Sequence, residues 1–193
     1  MTTARTPKLK TFLRRASLMM LAACLLGALL VGVASAQTGG ASEVVMETAR
    51  TPAGELSLVR RREADAVTVV IKLNGRVVAE KGTSREGDAY EGASLRGLYP
   101  QNAPRFALVS LSTGALVCGA KFTIVDWSRE EAARVTRDFG NCSDAPRVVY
   151  RRDTLTVTFP AGPRKRDPGA HYVGPGQVWS YSNGRLRMVG GRR

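Results

Sequence analysis

The clearest regularity along the chain is alternation. Between residues 67 and 73, Val67, Val69, Ile71 and Leu73 point one way and Thr68, Val70 and Lys72 the other. That period of two marks a β-strand. Asn74-Gly75 follows at once, the pair preferred in a type I′ hairpin because both central residues need positive φ. Residues 76–81 are then predicted to return as a partner strand, with Leu73 opposite Arg76, Ile71 opposite Val78 and Val70 opposite Ala79. Both faces come out partly apolar, as expected in the interior of a sheet. Residues 178–182 and 185–189 flank a second such turn, Asn183-Gly184. Its register places Trp179, Tyr181, Leu186 and Met188 on one face, predicted to point into the core. Ser180, Ser182, Arg185 and Arg187 fall on the other face.

The rest of the chain has the same texture. Strands are predicted over 44–48 and 56–60, separated by Pro52-Ala53-Gly54. Further strands are predicted over 106–111 and, after Ser112-Thr113-Gly114, over 115–127, where Gly119 offers a bulge. Residues 148–151 and 154–159 form another hairpin. In it Leu155, Val157 and Phe159 alternate with Thr154, Thr156 and Thr158. Residues 82–97 are polar and glycine-rich and read as a long loop with at most one short strand at Tyr90. Ser128-Arg129-Glu130-Glu131 has capping-box spacing, which predicts one short helix ending near Arg134. Nine or ten short strands with almost no helix make an all-β fold, an antiparallel sandwich or barrel. Pattern alone does not separate the two.

The N-terminus changes the picture of where this fold works. Residues 1–16 carry five basic residues and no acid; residues 17–36 are uncharged and apolar and end in Ala34-Ser35-Ala36. This is the pattern of a cleaved secretory signal. It predicts a chain that begins at Gln37, acts in the periplasm or outside the cell, and keeps no transmembrane span. The rival readings fit less well. A run of about 20 apolar residues can span a bilayer, but this one is rich in Ala and Gly and ends in a cleavage site. Leu21-Ala22-Ala23-Cys24 is a possible lipidation box, yet lipidated Cys24 would be followed by Leu-Leu-Gly-Ala-Leu-Leu rather than by polar residues. Arg14-Arg15 is followed by Ala16-Ser17-Leu18, a poor twin-arginine context. Residues 37–42 read as a flexible lead-in, 43–189 as one β domain and 190–193 as a basic tail.

The signal takes five of the 29 basic residues and none of the 16 acids, leaving 24 against 16. All of those 24 except Lys72, Lys81, Lys121 and Lys165 are arginines. A basic balance favours anionic partners: an acidic protein, a wall polymer or a lipid head group. Nucleic acid is not expected. Two cysteines remain, Cys118 and Cys142, and in an exported domain two cysteines predict a disulfide.

Candidate chemistry is sparse. The basic runs Arg60-Arg61-Arg62, Arg151-Arg152 and Arg164-Lys165-Arg166 are candidate anion sites, because guanidinium binds carboxylate and phosphate bidentately. Each also reads as a solvated strand end or loop. Asn141, Ser143 and Asp144 form a candidate ligand turn, although Asn, Ser and Asp equally brace a turn through their own backbone. No metal site and no cofactor are expected. His171 is the only histidine, and no Ser-His-Asp or Cys-His set assembles by spacing. His171-Tyr172 and Trp179-Tyr181 place aromatics beside basic residues, a mixture that stacks on sugars or bases; Trp179 and Tyr181 are also core residues of their hairpin.

Gly114 and Cys118, then Phe139-Gly140-Asn141-Cys142-Ser143-Asp144, Leu155-Thr156-Val157 and Tyr181-Ser182-Asn183-Gly184-Arg185-Leu186 together resemble a pattern in small exported bacterial β-proteins of unassigned function. The resemblance spans residues 107–186. It implies one disulfide-tied domain and no particular activity. Where those proteins often have Pro after the first Cys, this chain has Gly119.

The expectation is therefore an exported, envelope-associated binding or inhibitor module for an anionic partner, without catalysis of its own. Two alternatives stay open. One is a wall- or glycan-acting hydrolase whose carboxylates do not show in the sequence; the other is a structural envelope component. A cleft with two converging carboxylates would favour the hydrolase, and a flat basic face would favour binding.

Overall fold

The computed structural model describes residues 41–83, 87, 89–114, 118–128, 133–162 and 174–191. The strands are β1 (Ser42–Thr51), β2 (Gly54–Glu63), β3 (Ala66–Leu73), β4 (Arg76–Lys81), β5 (Gly92–Tyr99), β6 (Phe106–Ser112), β7 (Ala120–Asp126), β8 (Arg134–Val135), β9 (Arg147–Arg151), β10 (Thr154–Phe159), β11 (Gln177–Ser182) and β12 (Arg185–Gly191). All pairings are antiparallel. They make three four-stranded sheets, each a meander of consecutive strands: β1–β4, β5–β8 and β9–β12. We call these the N-terminal, central and C-terminal sheets. None closes into a barrel, and no helix occurs among the described residues. The fold is a layered, sandwich-like stack.

The central sheet explains the stack. Phe106 to Leu111 is an unbroken buried run, and all of β7 is buried. A strand that is apolar on both faces needs a layer on each side. Ala107, Val109, Leu111 and Val125 pack on Leu56, Leu58, Val69 and Ile71 of the N-terminal sheet. Phe106, Leu108, Phe122 and Ile124 face the other way, onto Leu155, Val157, Phe159 and Tyr181 of the C-terminal sheet. Two cores thus share one sheet. The second is aromatic: Phe122 and Phe159 lie 5.0 Å apart between centroids, and Phe106 meets Tyr181 edge-on at 5.5 Å, arrangements that aromatic pairs favour.

Both Asn-Gly turns form, with φ of +52° at Asn74 and +51° at Asn183. Four expectations need correcting. A bulge between Ile71 and Lys72 puts Ile71 opposite Ala79 and Val70 opposite Glu80, one residue beyond the simple hairpin count. Residues 92–97, read as the end of a long loop, belong to strand β5; a bulge between Leu95 and Gly97 breaks the alternation that would have revealed it. Ala93 and Leu95 pack on the core before the bulge and Leu98 after it. The strand expected over 115–127 begins only at Ala120, with 115–117 outside the described residues. Arg134, expected to end a helix, lies in strand β8 opposite Asp126; residues 129–132 lie outside the described residues. The two additional strands, β5 and β8, lift the count above the nine or ten expected.

The last hairpin keeps its expected register, Tyr181 opposite Leu186 and Trp179 opposite Met188. Tyr181 is buried, and Trp179 and Leu186 are half-buried against the second core. Met188, however, is 57% exposed. It sits on the edge strand beyond Trp179, where the central sheet no longer covers it. Gly190 and Gly191, expected in a tail, extend β12. Residues 1–40, read as a signal and part of a lead-in, and Arg192 and Arg193 lie outside the described residues.

Candidate anion-binding face

The C-terminal sheet has one face in the core and one in solvent. On β9, Val148 and Tyr150 pack inward, so alternation turns Arg147, Val149 and Arg151 outward; all three are exposed. On β10 the buried residues are Leu155, Val157 and Phe159, which leaves Thr154, Thr156 and Thr158 outside. On β11, Ser180 and Ser182 face out, and on β12 Arg185 and Arg187 stand opposite them. One row runs straight across the sheet: Arg187, Ser180, Thr156, Val149. Arg151 lies opposite Thr154 and Arg147 opposite Thr158. At the β12 side Ser180, Ser182, Asn183, Arg185, Arg187 and Val189 line an open depression of ≈ 510 Å³.

No acid occurs in any of the four strands. Arg147, Arg151, Arg185 and Arg187 make no ion pair or side-chain hydrogen bond among the described residues. The face is therefore a hydroxyl floor between two arginine edges. Three inter-strand spacings of ~4.8 Å separate those edges, about 14 Å in all.

The basic run Arg60-Arg61-Arg62 has a different setting. It lies on β2 in the N-terminal sheet, on the far side of the central sheet from Arg151 and Arg152. Arg61 bridges Glu43 at 2.9 Å and Glu80 at 2.7 Å, and Lys72 binds Glu43 at 2.6 Å. Hydrogen bonds from Lys72 and then Arg61 hold Glu43 below the usual carboxylate range. The central charge of this run is thus already neutralised, with Arg60 and Arg62 exposed beside it. Arg164, Lys165, Arg166, His171 and Tyr172 lie outside the described residues.

Arg152 and Asp153 form the two-residue turn between β9 and β10, both at positive φ (+49° and +59°). Asp153 is held there by Arg105 and by the Tyr150 hydroxyl, which donates to it over 2.7 Å. Those bonds, Tyr150 first and Arg105 second, lower the Asp153 pKa.

The turn of Asn141, Ser143 and Asp144 is a brace. Asn141 is buried, and its Nδ2 donates to the carbonyls of Pro160 (2.7 Å), Gly174 (3.2 Å) and Pro175 (2.9 Å). Its Oδ1 accepts from the Ser143 amide. Both polar atoms of the Asn141 side chain thus hold backbone groups of the protein. The adjoining disulfide joins Cys118 to Cys142, with Cα atoms 4.8 Å apart. Asp144 is exposed, and its carbonyl accepts from Arg96.

Two other polar clusters were not foreseen. Lys81 pairs with Asp138 at 2.6 Å, and Tyr90 donates to the same carboxylate at 2.6 Å. Asp126 accepts from the Ser128 amide and from the Tyr181 hydroxyl. Asp126 and Asp153 both line a depression of ≈ 250 Å³ beside Arg105, yet each carboxylate is occupied by donors within the protein. A groove between the edge strands β5 and β9 passes Arg96, Tyr99, Val148 and Tyr150. Burial raises the Tyr99 pKa. Among the described residues no three His, Cys, Asp or Glu side chains cluster as metal ligands, and no helix is long and apolar enough to cross a membrane.

Sequence reasoning singled out Arg151 and overlooked Arg147, Arg185 and Arg187 as a set. A signal was present: residues 145–193 contain ten basic residues and two acids. No family model matches this chain, and comparisons with curated proteins and with solved structures return no match either.

Proposed function

We propose that this chain is an exported, envelope-associated binding module for an anionic partner. The observation that carries the reading is the acid-free outer face of the C-terminal sheet, with four arginines that no group among the described residues neutralises. Guanidinium groups left without partners at a surface bind carboxylate, phosphate or sulfate through charge-assisted bonds. The partner classes are an acidic protein, a wall polymer or a lipid head group. The Cys118–Cys142 bridge suits an oxidising, extracytoplasmic compartment. The hydrolase reading has less support, since Asp126 and Asp153 are committed to internal donors.

The test is binding of the full chain to an immobilised anionic support across a salt gradient. Binding should weaken steeply with salt and disappear when Arg147, Arg151, Arg185 and Arg187 are replaced together by Ser. Retention of that fourfold variant at the wild-type salt concentration would refute the reading.

A further inference from the structure

We infer that the outer face of the C-terminal sheet takes an extended acidic polysaccharide laid across the strands, with both arginine edges engaged at once. The inference rests on the binding-module reading above and names its partner. Arg185 and Arg187 stand on one edge strand and Arg147 and Arg151 on the other. The edges lie about 14 Å apart. A single phosphate, sulfate or carboxylate reaches one edge and leaves the other unoccupied. A chain with repeated charges reaches both.

The floor between the edges selects among chains. Thr154, Thr156, Thr158, Ser180 and Ser182 supply five hydroxyls, each both donor and acceptor, which suit the hydroxyls and ring oxygens of a sugar backbone. The face carries no aromatic side chain, so nucleobases find no stacking platform. It carries no aromatic or leucine wedge to enter a bilayer; its apolar members are valines.

The experiment measures affinity of the full chain at one ionic strength for four probes. These are a sulfated polysaccharide of heparin type, its sulfated disaccharide, single-stranded poly-dT, and vesicles of phosphatidylglycerol. The polysaccharide should bind at least about tenfold more tightly than each of the others, because only it spans both edges and uses the floor. Two edge variants, Arg185→Ser with Arg187→Ser and Arg147→Ser with Arg151→Ser, should each lower polysaccharide affinity by about tenfold. They should leave the disaccharide comparatively unaffected. The control Arg60→Ser with Arg62→Ser changes net charge equally on the other outer sheet and should leave affinity within about twofold. All these positions are exposed, and unchanged melting temperatures would confirm intact folds.

Equal affinity for the disaccharide, or sensitivity to one edge alone, would overturn the two-edge arrangement. Vesicles or poly-dT bound as tightly as the polysaccharide would overturn the glycan assignment. A control that weakens as much as the edge variants would reduce the effect to bulk charge and overturn the site. Those outcomes leave an anion-binding module standing. No measurable binding to any of the four probes would fail the binding-module reading itself.

Discussion

The Tyr181 hydroxyl in the C-terminal sheet donates a 2.5 Å hydrogen bond to Oδ2 of Asp126, the last residue of β7 in the central sheet. Both residues are buried. The bond ties the C-terminal sheet to the layer beneath it. Tyr181→Phe keeps the ring packed on Phe106 and removes a bond to a charged acceptor. It should cost about 2 kcal/mol, read by urea unfolding, with anion binding unchanged. A destabilisation below about 0.5 kcal/mol would show that the bond carries little net energy.

Asn141 should be less tolerant of an isosteric change than of truncation. Asn141→Ala loses the side-chain bonds to Pro160, Gly174 and Pro175. Asn141→Asp keeps the shape but sets a carboxylate oxygen against those three carbonyls, all acceptors. The expected order of melting temperatures is wild type, then Ala, then Asp, with Ala lower by about 2 kcal/mol in stability. An Asp variant as stable as wild type would mean that the amide does not hold this turn.

Reduction of the Cys118–Cys142 bridge, or its replacement by Cys118→Ala with Cys142→Ala, releases a closed loop with a sequence separation of 24. Loop-closure entropy puts the loss at about 3 kcal/mol. Intact mass before and after alkylation reports the bridge, and denaturant unfolding the energy. Free thiols at Cys118 and Cys142 in the oxidised, unfolded chain would contradict the bridge.

Asp153 links the β9–β10 turn to pH. Its folded pKa lies below the ordinary carboxylate value, through Tyr150 and then Arg105. The stability it adds is therefore complete above the unfolded value near ~4. That contribution is lost as pH falls through the folded value. Melting temperatures of wild type and Asp153→Asn should differ at neutral pH and converge in acid. Curves that stay parallel to the lowest pH would show that the carboxylate is not engaged. The group is exposed, so the difference should be small.

The sequence carried the hairpins well, because turn chemistry and period-two alternation are local. Asn74-Gly75 and Asn183-Gly184 sit at the turns they specify, and Leu155, Val157 and Phe159 alternate as a half-buried strand must. The failures were also local in origin. The bulge after Leu95 shifts the apolar positions of β5 out of phase, so the strand reads as loop. The site was only half legible. Alternation puts Arg185 and Arg187 beside Ser180 and Ser182, but nothing local says that β9 lies three strands away in the same sheet with Arg147 and Arg151 turned the same way. Likewise Arg105 meets Asp153 and Tyr150 across more than forty residues, a relation that only the stacked sheets create.

Each sheet is a meander of consecutive strands, so every hydrogen-bonded ladder joins chain neighbours and long-range order enters only when layers meet face to face. Short separations along the backbone close quickly, whereas the docking of three preformed layers requires the central one to be present. The molecule should therefore fold from local pieces yet unfold as one unit, because losing β6 or β7 uncovers both cores together. Amide exchange would report it directly: the amides of β6 and β7 should be the last to exchange, and those of β1 and β12 the first.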